Sequence, residues 1–344
     1  MKNTRQKICG MMAAMVILAG CAQQTDQGDP VVSDVSGTTE NSDKVTVVTS
    51  FYPLAYIAGR IGGEKINVVN ITGATDPHDY DLSPRDIATL QGADLVILNG
   101  AGFEPWGEDI EAQLKQNNVP VVTVTQGMVL VESDENTHGD EEHEEHKEHE
   151  EDHEDGEKHE EHGEHEEHGH GGVDPHVWVD PVRMQEITSI VADAIVDVSP
   201  ENADVYQERA DIVTADFVAL DKLYTDGLAQ CDRREVIVSH DAFGYLADRY
   251  DFTAHAIAGL STLDEPSAQT LAALKDEAAE GVTHILMEEN SAGRFASTLA
   301  TETGLTLLQI DPLASSASQD NGDFLSRATG NFTVLEEALG CSTS

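Results

Sequence analysis

Basic residues are scarce in this chain. Lys and Arg number 19 against 65 Asp and Glu, which leaves a formal charge of −46 over 344 residues. So few cations cannot displace counterions from phosphates, and sequence-independent nucleic-acid binding is excluded. Electrostatic docking on an anionic lipid surface is excluded with it. Apolar runs long enough to cross a bilayer are also missing: Ile8–Leu18 falls well short of the roughly 20 residues a spanning helix needs. Cysteine is limited to four residues, at 9, 21, 231 and 341. Apolar residues are not lacking. At 39% they exclude a wholly disordered acidic chain, and the length accommodates roughly two domains, each with its own core.

What is present is unevenly spread. Residues 132–172 hold 20 acids, 10 of the 15 histidines and two lysines, a local charge of −18. The histidines are His138, His143, His146, His149, His153, His159, His162, His165, His168 and His170. Repulsion among the carboxylates opposes a stable helix there. The expectation is a disordered loop whose imidazoles gather zinc ions weakly and release them as they protonate near pH 6. The alternative is a solvated spacer.

The first 20 residues read as an export signal, with Lys2, Arg5 and Lys7 ahead of the apolar run. Leu18-Ala19-Gly20-Cys21 resembles a lipoprotein processing site, with lipid on the Cys21 sulfur. Residues 21–44 are polar and acidic without an apolar period, the composition of a flexible tether. With Cys9 removed and Cys21 lipidated, Cys231 and Cys341 remain. In an oxidising extracytoplasmic space they either form one disulfide or stay unpaired.

Beyond the tether, short β-branched runs alternate with helical signals. Val45–Thr49, Ile66–Ile71, Leu95–Leu98 and Val121–Val124 read as buried strands before the acidic loop. Val236–Ser239, Phe252–Ile257, Ile285–Glu288 and Thr306–Ile310 repeat the pattern after it. The expected fold is α/β, with two similar lobes, each a four-stranded parallel sheet flanked by helices. The lobes cover 45–180 and 230–344. A long helical linker over 181–229 joins them, with a break, kink or new start at Ser199-Pro200.

Five histidines lie outside the low-complexity segment. His78 and His176 both stand in Asp-Pro-His tripeptides, and His240 directly follows the run Val236–Ser239. Ligands in open α/β sheets gather at the carboxyl ends of strands, where His78, His240 and Asp311 all fall. Three imidazoles and a carboxylate suit a tetrahedral zinc site, and nitrogen-rich ligation favours zinc over manganese or magnesium. Asp79 and Asp241 are candidates to orient the rings. His255 and His284 belong to no motif and read as structural.

These motifs together resemble the metal-specific solute-binding lipoproteins of ABC uptake transporters, in particular their zinc branch (cluster A-I, also cluster 9). The resemblance rests on Asp76-Pro77-His78-Asp79-Tyr80 with Ser83-Pro84, on Asp174-Pro175-His176-Val177-Trp178, and on Ser239-His240-Asp241-Ala242-Phe243-Gly244-Tyr245. Glu265-Pro266-Ser267 and Ile310-Asp311-Pro312 complete it. It implies two lobes joined by a rigid long helix, with metal in the cleft. His78, His176 and His240 then become ligands, and Asp311 the fourth, with Asp76 or water as alternatives. Manganese-binding relatives carry a carboxylate in place of His240, so the histidine here points to Zn²⁺ rather than Mn²⁺.

The resulting expectation is a membrane-anchored monomer, held by a lipid on the cell membrane in the periplasm or at the cell surface. It binds extracytoplasmic zinc and hands it to an ABC permease with its ATPase. The competing readings are a secreted zinc hydrolase and a surface zinc buffer or adhesin. Against the hydrolase, no apolar-periodic helix carries a His-Glu-x-x-His pair and no nucleophile motif is evident.

Overall fold

The computed structural model describes residues 44–132, 172–262, 264–288, 293–316 and 322–342. The export signal, Cys21, most of the tether and nearly all of the His-rich segment, including its ten histidines, lie outside the described residues.

Short apolar strands separated by helices pair in parallel, because a crossover helix returns the chain to the same end of the sheet. Strands β1 (Val45–Thr49), β2 (Ile66–Asn70), β3 (Leu95–Leu98) and β4 (Val121–Thr123) form one sheet in the order β2-β1-β3-β4. Strands β5 (Glu235–His240), β6 (Thr253–Ala258), β7 (His284–Met287) and β8 (Thr306–Gln309) repeat that order as β6-β5-β7-β8. All pairs are parallel, with Val47 opposite Leu95 and Ile237 opposite Ile285. Helices cover both faces, so β3 is buried along its whole length. The expected strands match these bounds to within two residues.

In the first lobe the helices are α1 (Tyr52–Gly62), α2 (Pro84–Gln91) and α3 (Gly107–Gln116). Helix α2 starts where the sequence indicates, with Pro84 in its first turn and a reciprocal capping box between Ser83 and Asp86. The linker is two helices, α4 (Pro181–Val198) and α5 (Ala203–Gly227), packed on each other. They part at Ser199-Pro200, where proline removes a helix donor. The second lobe carries α6 (Gly244–Tyr250), α7 (Ala268–Glu280), α8 (Gly293–Thr303) and α9 (Phe324–Leu339).

Helix α5, with 25 residues, is the long element between lobes and extends for about 37 Å. Near its start, Arg209 donates to the carbonyls of Ile61 and Gly62, and at its middle Asp216 pairs with Arg60 at 2.7 Å. Near its end, the Tyr224 hydroxyl donates to the Ala328 carbonyl at 2.7 Å. One apolar cluster runs through both lobes, joining Ile57 of α1, Phe217 of α5, Val238 of β5 and Leu335 of α9. A core shared in this way opposes wide hinge opening. The outer face of each sheet has its own cluster, around Val48 and Leu90 in the first lobe and Ile237 and Leu274 in the second.

Cys231 and Cys341 are disulfide-bonded across 110 residues of chain. The bond fastens the C-terminal segment beside the start of the second lobe, where Arg233 N donates to Leu339 O at 2.9 Å. No helix of the described residues is long and apolar enough to cross a membrane.

Candidate metal centre

Each of the three motif histidines is delivered by a local device. Asp76 caps the 3-10 turn Pro77–Asp79 by accepting from the His78 N–H at 3.1 Å, which fixes His78 after β2. His176 precedes the 3-10 turn Val177–Val179. Asp174 Oδ1 receives its backbone N–H at 2.9 Å and lies 2.8 Å from its Nδ1. Asn99, following β3, donates to the Pro175 carbonyl at 3.0 Å and anchors this turn to the first lobe. His240 ends β5, at the switch point between β5 and β7 where strand order reverses.

The three rings converge. Each offers one nitrogen, and these lie within 4.8 Å of one another. Ring centroids are 5.2, 5.4 and 5.9 Å apart. His176 Nε2 stands 3.2 Å from His78 Nε2. Donors about 2.05 Å from a tetrahedral zinc are about 3.3 Å apart, so this spacing suits two ligands of one ion. With its Nδ1 proton on Asp174, His176 presents an Nε2 lone pair. His240 is 1% exposed, and neither of its ring nitrogens makes a hydrogen bond of good geometry, though Nδ1 lies 2.6 Å from Glu288 Oε1. A buried imidazole with Nε2 unpartnered is costly unless an ion takes the lone pair.

Aromatic rings form the floor. Phe51, Phe103 and Trp178 pack with centroids 4.6–4.7 Å apart, and His78 meets Phe103 edge-on at 4.9 Å. The space between the rings is small, about 30 Å³, and is lined also by Asp76, Thr262, Glu288, Pro312 and Ser315. It has room for an ion and a water.

Burial, reinforced by the neighbouring imidazoles, pushes His78 down to about 3. Burial and His240 likewise hold His176 well below the usual histidine range. His240 moves the other way. Burial lowers it, but the Glu288 carboxylate, helped by Asp76 and Asp241, outweighs burial and raises it. Burial lifts Asp174 and Asp241 to about 6.

Asp311 is not where the expected fourth ligand should be. Its Oδ2 accepts from Arg327 Nε at 2.6 Å, and its Oδ1 accepts from Arg327 Nη2 and from the Leu313 N–H, both at 2.8 Å. Both oxygens are committed, and Asp311 does not line the space between the histidines. The residue shapes a loop instead. It steadies Leu313 at a left-handed φ of 63°, and the adjacent Pro312 carbonyl receives Trp178 Nε1 at 2.8 Å. Asp76 does line the space, with Oδ2 accepting from the Thr262 hydroxyl at 3.1 Å. The orienting carboxylates differ from expectation as well: Asp174 and Glu288 stand against the rings, in place of Asp79 and Asp241.

Glu288 escaped the sequence reading. It closes the expected strand Ile285–Glu288, yet β7 ends at Met287 and leaves Glu288 at a carboxyl edge, 1% exposed. The available signal was an acid directly closing an apolar strand beside the one that ends in His240. His284 pairs with Thr283 Oγ1 at 2.8 Å, and His255 lies at the other end of the second sheet.

Comparison with known proteins decides the family. The sequence profile "Zinc-uptake complex component A periplasmic", ZnuA, matches residues 47–338. This chain belongs to the ZnuA family. The high-affinity zinc uptake system protein ZnuA of Bacillus subtilis is 34% identical over 332 residues, 95% of each chain. The zinc-binding lipoprotein AdcA of Streptococcus pneumoniae is 30% identical over 299 residues, 86% of this chain and 54% of AdcA. The chain thus spans about half the length of AdcA. Among solved structures, Zn(II)-bound AdcA from Streptococcus pneumoniae superposes with a TM-score of 0.68 at 27% identity, covering 86% of this chain and 58% of that one. AdcAII of the same species gives 0.71 at 25% identity, covering 87% and 100%. The two-lobed ZnuA-type fold expected from the motifs is therefore the fold observed.

Proposed function

We propose that this ZnuA-family chain is the receptor of a zinc importer: it captures extracytoplasmic Zn²⁺ between its lobes and delivers the ion to an ABC permease with its ATPase. The observation that carries this reading is the convergence of three imidazoles, two buried and one half-buried, whose nitrogens lie within 4.8 Å of one another. His78, His176 and His240 are the ligands, through Nε2. Asp174 and Glu288 hold the opposite nitrogens of His176 and His240, which raises the basicity of those ligands. Water or Asp76 completes the tetrahedron. An all-nitrogen protein set favours zinc over manganese.

Zinc here is cargo, and the protein carries out no reaction on it. A lipid on Cys21 holds the receptor to the membrane as a monomer, and the acidic segment 21–44 spaces it from the surface. The His-rich segment 132–172 collects further zinc weakly and raises its concentration near the cleft.

Competition against a chelator of known affinity tests this. The expected result is one tight zinc equivalent, absent in His240→Ala, with several weaker equivalents whose number falls when 132–172 is deleted. Loss of the tight equivalent in the deletion variant would overturn the division of labour. Ester or peptide hydrolysis by the zinc-loaded protein would instead support the hydrolase reading.

A further inference from the structure

A second cluster of metal-competent side chains lies at the opposite end of the second sheet from the cleft. Strand register explains how it forms. Ile237 of β5 pairs with His255 of β6, and Glu235 lies two residues before Ile237, on the same face. That face is covered by α7, whose Leu274 packs with Ile237 in the outer core of the lobe. Glu277 is three residues beyond Leu274 and so lies on the same side of the helix. The fold therefore brings one imidazole and two carboxylates together from three elements.

The geometry is that of ligands without an ion rather than of a hydrogen-bonded triad. His255 Nε2 is 3.7 Å from Glu235 Oε2 and 3.9 Å from Glu277 Oε2, beyond hydrogen-bond range. One ligand atom from each residue falls within 4.8 Å of the others. Atoms about 2.1 Å from a shared ion are about 3.4 Å apart when tetrahedral and about 4.2 Å when opposed, which brackets the two distances from His255 Nε2. His255 Nε2 is itself buried and has no hydrogen-bond partner. A buried ring nitrogen within ion-pair distance of two carboxylates, yet hydrogen-bonded to neither, leaves a place for a group that contacts all three.

We propose that Glu235, His255 and Glu277 form a second site for a divalent transition metal of the zinc class. Two carboxylates neutralise the dication, the imidazole supplies the nitrogen that magnesium and calcium do not select, and water fills the remaining position. The carboxylates are partly exposed, Glu235 by 51% and Glu277 by 32%, so the ion exchanges directly with solvent and is held more weakly than in the cleft.

The test is residue-resolved, so zinc held elsewhere on the chain does not enter it. Acylation of His255 by diethyl pyrocarbonate, read by peptide mass spectrometry, is followed in the full chain as zinc is added beyond the first equivalent. The expected result is at least a tenfold slowing in the native protein. Glu235→Gln and Glu277→Gln should each abolish that slowing while keeping the native circular dichroism and the tight cleft equivalent. Unchanged acylation at saturating zinc would overturn the proposal. Slowing that survives both substitutions, or equal slowing by magnesium, would overturn it too.

Discussion

Glu288 Oε1 lies 2.6 Å from Nδ1 of His240, and both side chains are 1% exposed. The pair joins the carboxyl ends of two adjacent strands of the second sheet, β5 and β7. It fixes which nitrogen His240 turns toward His78 and His176. Asp174 does the same for His176 from the first lobe, at 2.8 Å. The site is thus two ring-and-carboxylate units facing each other across the cleft, with His78 as the third corner of a triangle of rings.

Replacing Glu288 with Gln keeps the shape and removes the charge. Zinc affinity should fall about 10–100-fold, the usual cost of losing a carboxylate behind a metal-bound histidine. The cleft should still bind one equivalent. Chelator competition measures the shift, and an unchanged affinity would show that the pair is only structural.

Asp311→Asn should separate loop architecture from ligation. Both Asp311 oxygens serve Arg327, which is 7% exposed, so the substitution weakens a charge-assisted pair. Stability should drop by about 1–2 kcal/mol, discounted because Asp311 is 36% exposed. Zinc affinity should change less than threefold. A loss of 100-fold would restore Asp311 to the ligand set.

Cys231→Ser with Cys341→Ser opens a loop of 110 residues. The expected loss is about 2–4 kcal/mol by denaturant titration. Zinc stoichiometry should be unaffected, because the bond lies at the base of the second lobe and not at the cleft.

The charge of −46 predicts salt-dependent stability. About −18 belongs to residues 132–172, and the rest is spread over the lobes and tether. Salt screens self-repulsion of this kind, so the melting temperature should rise steeply with sodium chloride. A flat dependence would show that the acidic surface carries no net strain.

Most of the fold was legible because parallel strands buried on both faces announce themselves as short β-branched runs, such as Leu95–Leu98. The histidines were legible because two sit in repeated Asp-Pro-His turns and the third closes a strand. Charge partners were not. Arg327 is 16 residues beyond Asp311, on α9, and nothing in the spacing reveals that it claims the carboxylate. Glu288 and His240 are 48 residues apart and meet only because β7 pairs with β5. His255 read as structural for the same reason: its partners Glu235 and Glu277 arrive from other elements.

Diffraction from zinc-loaded crystals, recorded above and below the zinc absorption edge, tests the central claim most directly. The account predicts an anomalous peak about 2.0–2.1 Å from a ring nitrogen of each of His78, His176 and His240, with Asp311 still bound to Arg327. A peak that omits any of the three histidines, or that draws Asp311 from Arg327 onto the ion, would contradict it.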